Sequence, residues 1–216
     1  MKTINKYFTI IFSAMILFSC GKGKVSELPY YDKPDFTPLW PDEKETSEIH
    51  KVGNFSFKDQ DGREVSDKKL SGNIYIASFF FTTCPGICPK MTGNLKKVQS
   101  EFINDDNVKL ISFSVMPWID SVSRLKEYEN SFSLKNGKWY LATGRTSEIY
   151  ELARKSFFAE EEAGFNADST EFLHTEHVLL VDTRGHLRGV YNGTLLLDIE
   201  RMIEDIKILK KKAEKP

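Results

Sequence analysis

Apolar and polar positions along the chain alternate between strand-like and helix-like spacing. Ile74 to Phe81 is an apolar run without alternation, which predicts a strand covered on both faces. Met91, Leu95, Val98 and Phe102 recur at helical spacing and predict a helix over 91–103. Val108 to Val115 reads as a second central strand, so strand, helix and strand form a βαβ unit with a right-handed crossover. Ser121 to Phe132 predicts a helix with Val122, Leu125 and Tyr128 on one face. Trp139 to Ala142 reads as a short strand, and Thr146 to Ala163 as a helix with Ile149, Leu152, Ala153 and Phe157 inward. Glu176 to Asp182 and His186 to Tyr191 read as antiparallel strands joined by Thr183-Arg184-Gly185, and Leu196 to Lys212 as the last helix. Upstream, Val52 to Lys58 alternates, Asp59-Gln60-Asp61-Gly62 is a turn signal, and Arg63-Glu64-Val65 returns as a hairpin.

The first fifty residues follow another pattern. Lys2 and Lys6 precede an apolar run, Tyr7 to Phe18, with the length expected of a signal peptide and short for a membrane-spanning helix. The run ends Leu17-Phe18-Ser19-Cys20-Gly21, which resembles a bacterial lipobox, with Cys20 lipidated to become the mature N-terminus. Residues 1–19 are then a lipoprotein-type signal. Residues 20–48 hold Pro29, Pro34, Pro38 and Pro41 among polar and aromatic residues, a density that blocks helix and sheet and predicts an extended, extracytoplasmic tether. Residues 49–216 form the domain. The expected location is the cell envelope, anchored by lipid to a bacterial membrane.

Composition adds mainly exclusions. The chain has 216 residues, with 30 Lys+Arg against 31 Asp+Glu, so charge gives no reason to expect nucleic acid. Lys210-Lys211-Lys212 reads as favourable charge at a helix C-terminus. The 3 cysteines are too few for a disulfide framework, and Cys84 and Cys88 point instead to catalysis or metal binding.

Those two cysteines follow the first central strand in Thr82-Thr83-Cys84-Pro85-Gly86-Ile87-Cys88-Pro89. A helix N-terminus offers unpaired N–H groups and the positive end of the macrodipole, both of which favour thiolate over thiol. Positions i and i+4 share a helix face, so the pair can close a disulfide or hold one metal. Pro85 fits an early helical position, where its missing N–H is not needed.

The sum is an α/β chain: a thioredoxin-like mixed sheet flanked by helices, with an added N-terminal β-hairpin and a thiol pair at the first βα turn. Ordinary thioredoxins place a cis-proline opposite the thiols. Here no proline lies between Pro117 and Pro216, and the corresponding loop reads Phe172-Leu173-His174-Thr175-Glu176-His177. Two thiolates with one neutral imidazole, His174, make a soft three-ligand set suited to copper, whereas structural zinc usually takes four ligands. His50, His177 and His186 are read as ordinary polar or satisfied core groups.

The chain resembles the Sco/SenC family of copper-binding, membrane-tethered thioredoxin-like proteins over about residues 50–210. The likeness rests on the C-x-x-x-C-P segment Cys84 to Pro89, on His174 eleven residues before Gly185, and on Arg188 to Thr194 as the closing hairpin. The resemblance implies Cys84, Cys88 and His174 as copper ligands, with Cu(I) or Cu(II) as cargo. It also implies a copper-accepting subunit of cytochrome c oxidase, or another copper or thiol protein, as partner. The sequence departs from the family where Val115-Met116-Pro117 and Leu173-His174 replace patterns that often carry Asp, although Asp120 stands where a second acid is common.

Two function classes use the same residues. A metallochaperone would bind copper through all three ligands and pass it to a partner's thiolates. A thiol–disulfide oxidoreductase would use Cys84 to attack and Cys88 to resolve, through a mixed disulfide. Three residues between the cysteines, instead of the two common in redox motifs, and the presence of His174 favour the metallochaperone.

Overall fold

A computed structural model of the chain describes residues 27–40, 48–159 and 175–213. The strands are β1 (Tyr30–Tyr31), β2 (Pro38–Leu39), β3 (Ser56–Lys58), β4 (Glu64–Ser66), β5 (Ile74–Phe80), β6 (Val108–Ser114), β7 (Trp139–Ala142), β8 (His177–Val181) and β9 (Leu187–Asn192). The helices are α1 (Asp67–Leu70), α2 (Ile87–Glu101), α3 (Val122–Phe132), α4 (Thr146–Glu151) and α5 (Leu196–Ala213). A seven-stranded sheet runs β2-β1-β9-β8-β5-β6-β7, and β3 and β4 form the separate hairpin. β5, β6 and β7 are parallel, while β8 and β9 run antiparallel beside β5. Among the described residues no helix is long and apolar enough to cross a membrane.

The unbroken apolar character of β5 has a direct cause: all seven of its residues are buried. Ile74, Ile76 and Phe80 join a cluster with α2, α3 and α5, whereas Tyr75, Ala77 and Phe79 join one with α1, α4 and the β3–β4 hairpin. Side chains of a strand alternate between faces, so β5 serves both halves of the core. Burying each such large side chain contributes about 1.5–3 kcal/mol. The α2 stripe Met91, Leu95, Val98 and Phe102 is buried as its spacing predicts.

Three expectations need correction. Helix α2 begins at Ile87, ahead of the predicted Met91, so Cys88 and Pro89 lie inside its first turn and Pro85 before it. Helix α4 is shorter than predicted: after Glu151 it widens into a π-helical stretch, Leu152–Ser156. Phe158 then takes a left-handed φ of 51°, which ends the helix. The acidic run Glu160-Glu161-Glu162 lies outside the described residues. The third correction concerns the proline-rich segment, where sheet was expected to be blocked. Its described part pairs, Tyr31 opposite Leu187 and Pro38 opposite Tyr31. Pro38 is tolerated because β2 is the outermost strand, where a missing N–H costs no ladder bond.

What fastens this segment is a buried guanidinium. Arg188 pairs with Asp182 at 3.1 Å, donates to the carbonyls of Leu28 and Pro29, and stacks 3.7 Å from the Tyr30 ring centroid.

Candidate metal centre

Strand β5 delivers the chain to a turn at its C-terminal end, and α2 carries it away. Cys84 sits in that turn, and Cys88 is the second residue of the helix. The pair therefore does not share one helix face, as i and i+4 spacing alone suggested. The helix start still joins them: the Cys88 backbone N–H donates to Cys84 Sγ at 3.5 Å. Both thiols are free and buried, with 8% and 3% exposure.

Their acidities diverge. Burial works against ionising Cys84, but the backbone N–H groups of Cys88 and Gly86, the Cys88 thiol and the Ile87 N–H outweigh it and hold the Cys84 pKa below its ordinary value. Burial pushes the Cys88 thiol up to about 12, with the neighbouring Cys84 adding to the shift. The lowered value is the effect expected of a helix N-terminus, and it falls on the cysteine outside the helix because the first-turn N–H groups point back at it. Tyr128 closes one wall: its hydroxyl bonds Thr92 Oγ1 at 2.8 Å, and burial and then the nearby thiols raise its pKa.

A buried carboxylate holds the turn from below. Asp120 lies in the loop after β6 and is fully buried. It accepts from the Thr82 N–H at 3.1 Å, from the Thr82 hydroxyl, and from Ser114 Oγ at 2.6 Å. Arg124 Nε donates to Thr82 Oγ1 at 2.8 Å from α3. The segment that leads into Cys84 is thus tied to β6 and α3. In the sequence Asp120 stands out only through the family resemblance, because its partner, Thr82, lies 38 residues away. The only local signal was the Thr-Thr pair that ends the strand.

The opposite wall comes from the start of β8. Glu176 O accepts from Gly193 N at 2.8 Å, and a Cβ on Gly193 would meet Met91 Cγ and Val178 Cγ2, each at 2.6 Å. Glycine at 193 lets this turn lie against the first turns of α2. His186 Nδ1 lies 3.1 Å from the His50 carbonyl and His50 Nε2 lies 2.9 Å from the Ser156 carbonyl, so both are satisfied structural groups. His174 and Cys20 lie outside the described residues. Among the described residues no group of three His, Cys, Asp or Glu side chains gathers into a metal site. The arrangement offers two neighbouring sulfurs at the edge of a loop, Cys84 with its pKa lowered and Cys88 with its pKa raised.

Comparison with known proteins gives concordant results. A family model described as SCO1/SenC matches residues 43–211. The SCO1 protein homolog of Bacillus subtilis (strain 168) is 34% identical over 160 residues, 73% of this chain and 82% of that protein. Among solved structures, BsSco is described as a member of the Sco family of cytochrome c oxidase assembly proteins in which a disulfide switch was identified. It matches with a TM-score of 0.64 and 32% identity, over 77% of this chain and 95% of that one. Arabidopsis thaliana ScoI with copper bound matches with a TM-score of 0.58 and 25% identity, over 74% and 98%.

Proposed function

The chain belongs to the SCO1/SenC family, and on that footing we propose that it is a membrane-tethered copper chaperone supporting assembly of the copper centre of cytochrome c oxidase. Copper is its cargo, held by Cys84, Cys88 and His174. The observation that carries this reading is the buried thiol pair bridged at a helix start, in a chain similar to a Sco protein solved with copper bound.

The donor set fits the metal. Thiolate sulfur is a soft ligand that selects Cu(I), and imidazole suits both copper states. Two thiolates and a neutral imidazole leave one net negative charge with Cu(I) and none with Cu(II). Support for His174 as third ligand comes from its described neighbours. Strand β8 runs antiparallel to β5 with Val178 opposite Ser78, so following β8 back toward its start leads toward the thiol turn. Binding needs both thiols deprotonated, so uptake releases protons, most of all from Cys88. Oxidation of the metal-free pair to a disulfide would remove both sulfur ligands, which makes it a switch of this site instead of a separate activity. A lipid on Cys20 would hold the domain at the outer face of a bacterial membrane, within reach of an accepting subunit's thiolates.

The test is titration of the reduced full chain with Cu(I) against a competing chelator, and with Cu(II) by its sulfur-to-copper absorption band. Cys84→Ala, Cys88→Ala and His174→Ala are each expected to weaken binding at least tenfold, and His177→Ala to leave it unchanged. Equal binding by all variants would place the site elsewhere. In a strain lacking the chain, oxidase activity should return with the parent and not with Cys84→Ala.

A further inference from the structure

The molecule has two poles, and the thiols occupy one of them. Strand β5 starts at Ile74 and ends beside the thiol turn. Helix α5 spans the same axis in reverse. Its start follows Gly193, which packs on Met91 next to the thiol turn, and its end carries Lys210, Lys211 and Lys212. At 18 residues the helix separates the two ends by about 27 Å.

The N-terminal segment enters at the lysine end. Lys212 Nζ lies 3.3 Å from Glu27, and Arg188 fixes the Leu28 carbonyl next to it. From Glu27 back to Cys20 is seven residues, which reach at most about 25 Å when fully extended. A lipid on Cys20 would therefore keep this pole within about 25 Å of the bilayer. The six residues between carry Lys22 and Lys24 and no acid. At the pole itself Lys210 pairs with Asp105, Lys211 is exposed, and Ile103 in the adjoining loop is an exposed apolar side chain.

The geometry points to the lysine end of α5 as a docking surface for anionic phospholipid headgroups, which turns the thiol pole away from the membrane. The inference rests on the lipid tether of the proposed function. Charge complementarity names the occupant: Lys210, Lys211 and Lys212 stand on the last helical turn beside the point where the described chain begins, and each basic residue near an anionic leaflet adds to binding within a Debye length. Orientation follows. The thiol turn stands roughly 27 Å or more above the headgroups, the height set by α5, and so faces partners that project from the membrane.

The experiment uses the lipidated full chain, purified in detergent and reconstituted on vesicles of phosphatidylcholine alone or of phosphatidylcholine with 30% phosphatidylglycerol. Flotation reads the tether, and amine-reactive footprinting by mass spectrometry reads the orientation. The expected result is flotation with both vesicles. Lys210, Lys211 and Lys212 should react at least threefold more slowly on the anionic vesicles, with Lys90 at the thiol pole unchanged. The protection should vanish in 0.5 M NaCl. It should also weaken at Lys210 and Lys212 in a Lys22→Gln, Lys24→Gln, Lys211→Gln variant, which keeps both ion pairs and leaves copper binding intact. Flotation with equal reactivity at both poles would overturn the docking surface and leave the tether standing. Failure to float would overturn the tether and the docking surface with it.

Discussion

At the scale of single residues the site depends on an asymmetry between two cysteines four positions apart. Backbone donors hold the Cys84 pKa down, whereas burial holds Cys88 up to about 12. Rising pH therefore ionises Cys84 first, while Cys88 stays a thiol through the neutral range. In the reduced, metal-free chain, iodoacetamide at pH 7 should label Cys84 at least tenfold faster than Cys88, as peptide mass spectrometry can read; equal rates would contradict the assignment. Cys88 also makes a contribution to stability that depends on pH. Because the folded Cys88 pKa lies above that of an unfolded thiol, its contribution is complete below about pH 8.5 and is lost as pH climbs toward 12. Asp120 makes a second prediction. Its carboxylate accepts from the Thr82 N–H, the Thr82 hydroxyl and Ser114. Asp120→Asn replaces one acceptor oxygen with a donor, which should cost about 1–3 kcal/mol in urea denaturation. It should also loosen the thiol turn, seen as faster amide exchange at residues 82–84. The thiol pair was legible in the sequence because its spacing and flanking prolines are local. The Asp120 clamp was not, because it exists only once β5 and β6 lie side by side in parallel register.

At the scale of elements, periodicity found nearly every strand and helix, and it failed where local chemistry and tertiary pairing disagree. Pro85 looked like a helix start, but the helix begins two residues later and it is Pro89 that occupies the first turn. The prolines at 29, 34 and 38 argued against sheet, yet the segment joins its edge. Propensity cannot foresee this, because the cause is a side chain from the far end of the chain. Arg188 meets Asp182 and the Leu28 and Pro29 carbonyls in a site where both charged side chains are buried. Replacing only one member of such a pair strands the other, and the penalty is typically about 3–5 kcal/mol. Arg188→Met should therefore lower stability by that order and expose residues 27–31 to limited proteolysis well before global unfolding. A variant with the parent's cleavage pattern would mean that the guanidinium is not what holds β1.

At the scale of the whole molecule, the question is where the folded unit starts. Composition drew the boundary near residue 48, treating everything between Cys20 and Glu48 as tether. Packing argues for an earlier start. Leu28 and Tyr30 are both buried, Leu28 in the cluster built by α2, α3 and α5, and Tyr30 between Arg188 and His186. The added strands also cover β9, which would otherwise be the open edge of the sheet. Two truncations separate the alternatives. A chain beginning at Ser26 keeps these contacts and should unfold in urea at the same midpoint as the full chain. A chain beginning at Glu48 loses two buried side chains, worth about 1.5–3 kcal/mol each, and leaves Arg188 without its carbonyl partners. Its midpoint should fall clearly, and with β9 uncovered it should self-associate at high concentration, as sedimentation can measure. Equal midpoints for the two truncations would return residues 27–40 to the role of a passive linker. A lower midpoint makes residues 27–40 an integral part of the folded domain, its first two strands.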